Sequence, residues 1–152
     1  MGYHVESGRA NLEIYPLGRY EWEIIKKNLN IVWTEDTCGI VCANKGKIMG
    51  IVVYNNFAER SCQMHHMLFE PYIIAQGWAK ICFDLPFEEK NFDKVWGTIP
   101  GFNEKAIYFC ERLGFKHITV IPEYWDDVDC HILRLDRDDW RKSKWAGKAE
   151  AT

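Results

Sequence analysis

The segment NEKAIYFCERLGF, residues 103–115, decides the fold predicted for this chain. Asn103 suits a helix N-cap, because its side-chain oxygen can accept a hydrogen bond from an amide of the first turn. Gly114 suits the position after the helix, because glycine adopts a left-handed backbone at little cost. A helix is therefore predicted over residues 103–113. The segment alone does not distinguish an ordinary amphipathic helix from one whose first turn holds a ligand.

Composition and charge indicate one globular domain. The chain has 152 residues, 47% hydrophobic and 27% charged, which is enough for one substantial core. The net charge of -3 argues against a nucleic-acid partner. No apolar run reaches the length of a membrane span, and no signal-peptide pattern is found, so no membrane role and a cytoplasmic location are predicted.

The six cysteines include no Cys-x-x-Cys pair, so no metal site is predicted. Most of them lie in apolar runs. The sequence allows the cysteines to form disulfides or to stay buried free thiols, and a reducing cytoplasm favours free thiols. The cysteines are Cys38, Cys42, Cys62, Cys82, Cys110 and Cys130.

Hydrophobic periodicity predicts the element order β-α-β-β-β-α-β-α-β-β. The fold class is α+β, with a mixed, largely antiparallel sheet and helices on both faces. A strand–helix–strand unit over residues 61–99 must cross over this sheet. The predicted strands are 11–17, two within 37–57, 61–69, 94–99, 115–121 and 130–135; the predicted helices are 18–29, 72–89 and 103–113.

Residues 1–137 are predicted to form the domain, and residues 138–152 a charged tail that frays at its end. Aromatic residues make up 14% of the chain, including seven Trp. Large flat side chains fill cores and line clefts, and aromatic residues left on the surface would suit a homodimer.

A second informative segment joins the end of a predicted strand to the start of a helix. It places the small residues Ala75, Gly77 and Ala79 near the helix start. Free N–H groups there can bind an anion, and small side chains let a phosphate approach. Ordinary packing accounts for the same residues, so both interpretations stay open for this segment alone.

Together the two segments resemble the GNAT superfamily of acyl-CoA-dependent N-acetyltransferases. That family carries Arg/Gln-x-x-Gly-x-Gly/Ala after its fourth strand, and Asn-x-x-Ala-x-x-Leu-Tyr-x-x-Leu-Gly-Phe on the helix after its fifth. Here residues 74–79 read IAQGWA and residues 103–115 read NEKAIYFCERLGF, and the element order matches from about residue 11 to residue 136. The segments CQMHHML and CFDLPFEE are similar to phage-encoded GNAT-like proteins, some described as head-assembly proteins.

The resemblance implies an N-acetyltransferase that moves an acetyl group from acetyl-CoA to an amine of a small molecule or protein, without a covalent enzyme intermediate. Amides at 75–79 would cradle the pyrophosphate, the strand edge at 67–69 would pair with the pantetheine arm, and Asn103 would hydrogen-bond that arm. The implied cofactor-binding residues are Met67, Leu68, Phe69, Ala75, Gln76, Gly77, Ala79, Asn103 and Phe109.

Two positions depart from the family pattern. Ile74 replaces the motif's Arg/Gln, and Cys110 replaces the Tyr that protonates the leaving thiolate in many members. A thiol, with a usual pKa of about 8.5, can in principle donate that proton, so Cys110 is kept as the candidate acid. Tyr108 points about 200° away around the helix and is no automatic replacement. The rival hypothesis is a binding or virion-assembly protein of a phage that retains the fold without its chemistry.

Two adjacent histidines are candidates for the base that deprotonates the amine. His65 and His66 point to opposite faces of the predicted strand, and histidine has a suitable intrinsic pKa. We assign His65 to the cleft as the candidate catalytic base and His66 to the packed face. Hydrogen-bonded structural histidines are the alternative.

The turn between the last two strands is acidic. In the resembled fold it edges the acceptor pocket, so Glu123, Asp126 and Asp127 would attract a cationic amine or would simply be solvated.

Overall fold

A computed structural model describes residues 3–7, 10–29 and 31–147. The described chain forms one sheet of eight strands with helices on both faces. The strands are β1 (Tyr3–Ser7), β2 (Ala10–Pro16), β3 (Cys38–Asn44), β4 (Lys47–Asn55), β5 (Ser61–Leu68), β6 (Lys94–Pro100), β7 (Lys116–Trp125) and β8 (Val128–Asp136). The α-helices are α1 (Arg19–Leu29), α2 (Trp78–Asp84), α3 (Glu104–Leu113) and α4 (Arg137–Lys142).

The sheet has the strand order β1-β2-β3-β4-β5-β6-β8-β7. Of its neighbouring pairs, only β5 and β6 run parallel, because the chain between them crosses over the sheet. The predicted mixed, largely antiparallel α+β fold is therefore confirmed. The predicted hairpin of β3 and β4 turns through Lys45 and Gly46, which both have positive φ.

The edges of the sheet extend beyond the prediction. β1 is an additional strand that pairs with β2, and β7 and β8 meet at a tight turn through Asp126. Pro122 and Glu123, whose φ is 50°, lie within β7 where the sequence indicates a turn. An edge strand tolerates proline and irregular backbone, because one side of its ladder has no partner.

The segment predicted as a single helix over residues 72–89 has three parts. A 3₁₀ helix (Pro71–Gln76) precedes α2, and a π-helical turn (Leu85–Glu89) follows it. Gly77 separates the first two parts with a φ of 102°, a conformation that glycine adopts readily. Pro86 lies in the third part, where its missing N–H cannot continue an α-helix.

Strand alternation divides the core between the two faces. The larger core lies under α2, α3 and α4, and the smaller core lies under α1. The α1 core is built from Leu17, Ile25, Val41, Ile51 and Val53.

The C-terminal residues differ from the expected charged tail. Trp140 of α4 is 1% exposed, and its ring centroid lies 4.5 Å from that of Phe83. Trp145 and Ala146 pack against the same core. One buried tryptophan thus anchors a segment whose other residues are mostly charged, and residues 148–152 lie outside the described residues.

Candidate active site

The parallel strands β5 and β6 separate partway along their length. Their paired positions are Ser61 with Lys94, Cys62 with Val95, and Gln63 with Trp96. Beyond these pairs, β5 continues to Leu68 beside β4 alone, and β6 continues beside β8. Backbone N–H and C=O groups on the inner edges therefore face a wedge-shaped opening, as the groups of an edge strand would.

A cleft of about 1340 Å³ occupies this wedge. Residues from the end of α1 and from α2 both line it, although these helices cover opposite faces of the sheet. The cleft therefore passes through the sheet. Of the predicted site residues, it is lined by His65, Met67, Leu68, Ala79, Asn103, Phe109 and Cys110. Phe69, Ala75, Gln76 and Gly77 are not in its wall.

The segment predicted to hold a pyrophosphate lies at the start of α2. The first bond of this helix runs from the amide of Ile81 to the carbonyl of Gly77, so the amides of Trp78 and Ala79 lie before it in the first turn. Ala75 is exposed, whereas the Gln76 Oε1 atom is buried without a partner among the described residues. Ile74 is 6% exposed and offers no polar side-chain atom. The segment thus offers main-chain donors.

Phe69 differs in position from the other implied cofactor residues. The amide of Phe69 donates to the carbonyl of Met49 at 2.9 Å, which ties it to β4 after the end of β5. Its side chain is 49% exposed. The free edge of β5 along the wedge therefore consists of residues 64–68.

The opening segment of the sequence forms the helix that it predicts. Asn103 Oδ1 accepts a hydrogen bond from the Ala106 amide at 3.3 Å, which confirms the N-cap. Gly114 follows the helix with a φ of 113°. With Oδ1 used as the cap, the Nδ2 group of Asn103 is available as a donor at the cleft.

Cys110 lies on the cleft side of α3, half-buried beside Phe109. Burial raises the pKa of the Cys110 thiol to about 12. The side chain is therefore a neutral S–H group at physiological pH. Tyr108 is 61% exposed, and its ring lies 5.7 Å from the Arg112 guanidinium.

His65 is held by a residue that the sequence did not indicate. Its Nε2 atom lies 2.8 Å from Oδ1 of Asn55, which is 8% exposed. An amide oxygen only accepts, so Nε2–H of His65 donates and Nδ1 keeps a free lone pair. Burial lowers the pKa of His65 to about 4, so the imidazole is neutral at physiological pH.

The His66 side chain points to the opposite face of the sheet, which α2 covers. Its Nε2 atom lies 2.8 Å from Nε1 of Trp78, under the helix where it was expected to pack. The prediction placed only one of the two histidines at the cleft, yet both line it, because the cleft passes through the sheet. His66 keeps part of its surface exposed, but the protein atoms around its imidazole lower the pKa of this ring to about 4 by burial.

Sequence reasoning missed the partners of both histidines. Asn55 ends β4 opposite Gln63, so the register of the β4–β5 hairpin would have been needed to place it near His65. Trp78 reaches His66 only because the crossover between β5 and β6 places the start of α2 against the sheet. The turn residues Glu123, Asp126 and Asp127 are exposed, while their neighbours Tyr124 and Trp125 line the cleft.

Two further features are absent from the described part of the chain. No three His, Cys, Asp or Glu side chains there come together as ligands for a metal ion. None of the helices in that part is both long enough and apolar enough to cross a membrane.

The sheet with its wedge between β5 and β6, and with a helix after each of these strands, has the fold of solved N-acetyltransferases. A mutant of spermidine N-acetyltransferase SpeG from Vibrio cholerae superposes with a TM-score of 0.72 at 17% identity, over 86% of this chain and 96% of that one. Other mutant forms of SpeG, described as a spermidine/spermine N-acetyltransferase, give 0.67 at 18% identity, over 85% and 95%. An uncharacterized protein from Bacillus halodurans gives 0.66 at 13% identity, over 98% and 96%.

These superpositions establish a shared fold, and at such low identities the activity has to be argued from the site. No protein-family model matches the sequence, and no curated protein matches it.

Proposed function

We propose that this protein is an acetyl-CoA-dependent N-acetyltransferase, acting on the amine of a small molecule or protein by direct attack, without a covalent enzyme intermediate. The observation that carries the proposal is the wedge between β5 and β6. Its free strand edge, residues 64–68, offers main-chain hydrogen-bonding groups to an extended, amide-containing arm such as pantetheine.

The residues around the wedge fit acetyl-CoA. The small residues Ala75 and Gly77, with the amides that begin α2, would hold the pyrophosphate. Asn103 Nδ2 and the ring of Phe109 would contact the arm from α3. Lys105 adds a cationic side chain to the same wall. When bound, acetyl-CoA would supply an activated acetyl group, whose C–S bond breaks as the new C–N bond forms.

His65 is the proposed proton acceptor. Its donated bond to Asn55 holds the imidazole in the tautomer whose Nδ1 lone pair is free. The attacking amine must lose one proton, and Nδ1 would take it directly or through one water molecule. A base with a pKa of about 4 is weak, so much of the rate acceleration would come from holding the amine in position.

Cys110 is the proposed proton donor to the departing thiolate. Its S–H group lies in the cleft wall beside Phe109 and stays protonated at neutral pH. A thiol of such high pKa donates its proton reluctantly, so we expect slower turnover than a tyrosine at this position would support.

The alternative function is a binding or virion-assembly protein, as the similarity to phage-encoded proteins suggests, located in the host cytoplasm. Two observations favour it: Ile74 is a buried apolar residue where the motif has a polar side chain, and Cys110 is a poor acid. The alternative predicts that the fold persists without turnover.

Calorimetric titration of acetyl-CoA into the protein tests the proposal, followed by detection of released CoA with a panel of amines. We expect saturable binding and acetylation of at least one amine. No binding at millimolar acetyl-CoA contradicts the proposal, and binding without turnover on the panel supports the alternative.

A further inference from the structure

The hydrogen bond between Trp78 and His66 fixes the tautomer of the His66 imidazole as well as the position of this ring. Trp78 is fully buried, and its Nε1 atom lies over Gly50 of β4. A Cβ atom at position 50 would come within 3.1 Å of Nε1, so this glycine gives the indole room. The indole N–H can only donate, so Nε2 of His66 must be the acceptor at 2.8 Å.

This bond assigns the tautomer of His66. A neutral imidazole carries one proton, and because Nε2 is the acceptor, that proton is on Nδ1. His65, one residue earlier, has the opposite arrangement, with its proton on Nε2 toward Asn55. The two adjacent rings thus present a donor on one face of the sheet and an acceptor on the other.

The donor group of His66 lacks a protein partner. Within residues 3–7, 10–29 and 31–147, no protein atom accepts a hydrogen bond from its Nδ1. His66 is an exposed residue, and it lines the cleft three positions after Gln63, where β5 has left β6. A fixed donor in a cleft is suited to bind a hydrogen-bond acceptor of the ligand.

We propose that His66 donates a hydrogen bond from Nδ1–H to a carbonyl oxygen of the bound acyl-CoA, and that Trp78 is a positioning residue that fixes this tautomer. The inference rests on the proposed function. The carbonyl is either an amide of the pantetheine arm or the thioester itself. Both are acceptors without a proton, so a donor held in advance recognises either one.

Two amide variants distinguish the role of Nδ1 from that of Nε2 in the His66 ring. The amide of His66→Asn ends near the position of Nδ1, so it can keep the donor but loses the acceptor for Trp78. The longer side chain of His66→Gln reaches the position of Nε2, so it keeps the acceptor for Trp78 but loses the donor. The pair therefore separates ligand binding from structural support.

We expect His66→Gln to melt close to the wild type and to bind acetyl-CoA about tenfold more weakly, as loss of one ligand hydrogen bond does. His66→Asn should melt at a lower temperature and keep the Kd for acetyl-CoA within about threefold. A purely structural His66 gives the opposite result: His66→Gln would bind acetyl-CoA as the wild type does. That outcome overturns the inference.

Free CoA distinguishes the two carbonyls. If the thioester is the partner, His66→Gln weakens the binding of acetyl-CoA and leaves that of CoA unchanged; if a pantetheine amide is the partner, both weaken.

Nitrogen-15 spectra of labelled histidine should show Nδ1–H for His66 in the free protein, and an Nε2–H signal would overturn the inference. If the wild type does not bind acetyl-CoA, both the proposed function and this inference are contradicted. If the wild type binds acetyl-CoA and His66→Gln binds it equally well, only this inference is contradicted.

Discussion

Gln63 of β5 and Trp96 of β6 are the last residues that pair across the two parallel strands. Past this pair the strands separate, and the cleft wall includes side chains from both faces of the sheet. His65 and His66 follow on β5 after Met64, one toward each face. The position of this last pair therefore explains why two adjacent residues can take part in two different halves of one site.

The first prediction tests the anion site before α2. Ala75 is exposed and lies in the turn proposed to hold the pyrophosphate, so Ala75→Glu should weaken acetyl-CoA binding by charge repulsion, by about tenfold or more. Ala75→Lys is the matched control and should bind at least as tightly as the wild type. Calorimetry measures both Kd values, and equal weakening by the two variants would show that size, and not charge, matters. Gly77 is a poorer test position, because its φ of 102° makes any side chain strained.

The second prediction concerns Cys110. If the missing tyrosine limits turnover, Cys110→Tyr should raise the rate of CoA release with a reactive amine, because a phenol with a pKa of about 10 is a better acid than this thiol. Cys110→Ala removes the proposed proton donor and should lower the rate by about tenfold. An unchanged rate with alanine would mean that the thiol does not donate this proton.

The third prediction concerns the pH dependence of activity and the hydrogen bond between Asn55 and His65. Activity that depends on neutral His65 should be lost as the pH falls through about 4, the pKa to which burial lowers this imidazole. Asn55→Asp places a carboxylate against Nε2, which favours the imidazolium and should move this acid limb up by about one pH unit or more. The measurement is kcat/KM against pH.

The control for this prediction is His65→Ala. It should lower the rate by about ten- to a thousandfold and abolish the effect of Asn55→Asp on the profile. If the acid limb moves in the double variant as it does in the single one, another group is responsible for it and His65 is not the base.

The fourth prediction tests the C-terminal segment. Trp140→Ala should lower the free energy of unfolding by about 3–5 kcal/mol, because the ring is 1% exposed and packs on Phe83. Tyr20→Ala is the control: its side chain is 73% exposed, and its effect should stay within about 0.5 kcal/mol. Urea denaturation measures both. A detached C-terminal tail would make the two variants indistinguishable.

Local sequence signals predicted the local structure well. Asn103 and Gly114 mark the two ends of α3. Their effect is predictable because capping and a left-handed backbone depend on single residues and their immediate neighbours. Periodicity predicted the crossover unit and the antiparallel hairpins, and with them the fold class. Gly77 and Pro86 are equally local signals, and they divide the segment predicted as one helix.

The sequence by itself determined the order of elements, the caps of α3 and the alternation that sends His65 and His66 to opposite faces. Only the tertiary structure decided that both histidines reach one cleft, that Asn55 and Trp78 assign their tautomers, and that Trp140 belongs to the core. The physical reason is the range of the interactions. Caps and strand alternation act over a few residues of chain, whereas the divergence of β5 from β6 and the hydrogen bonds beside it require segments that the crossover brings together.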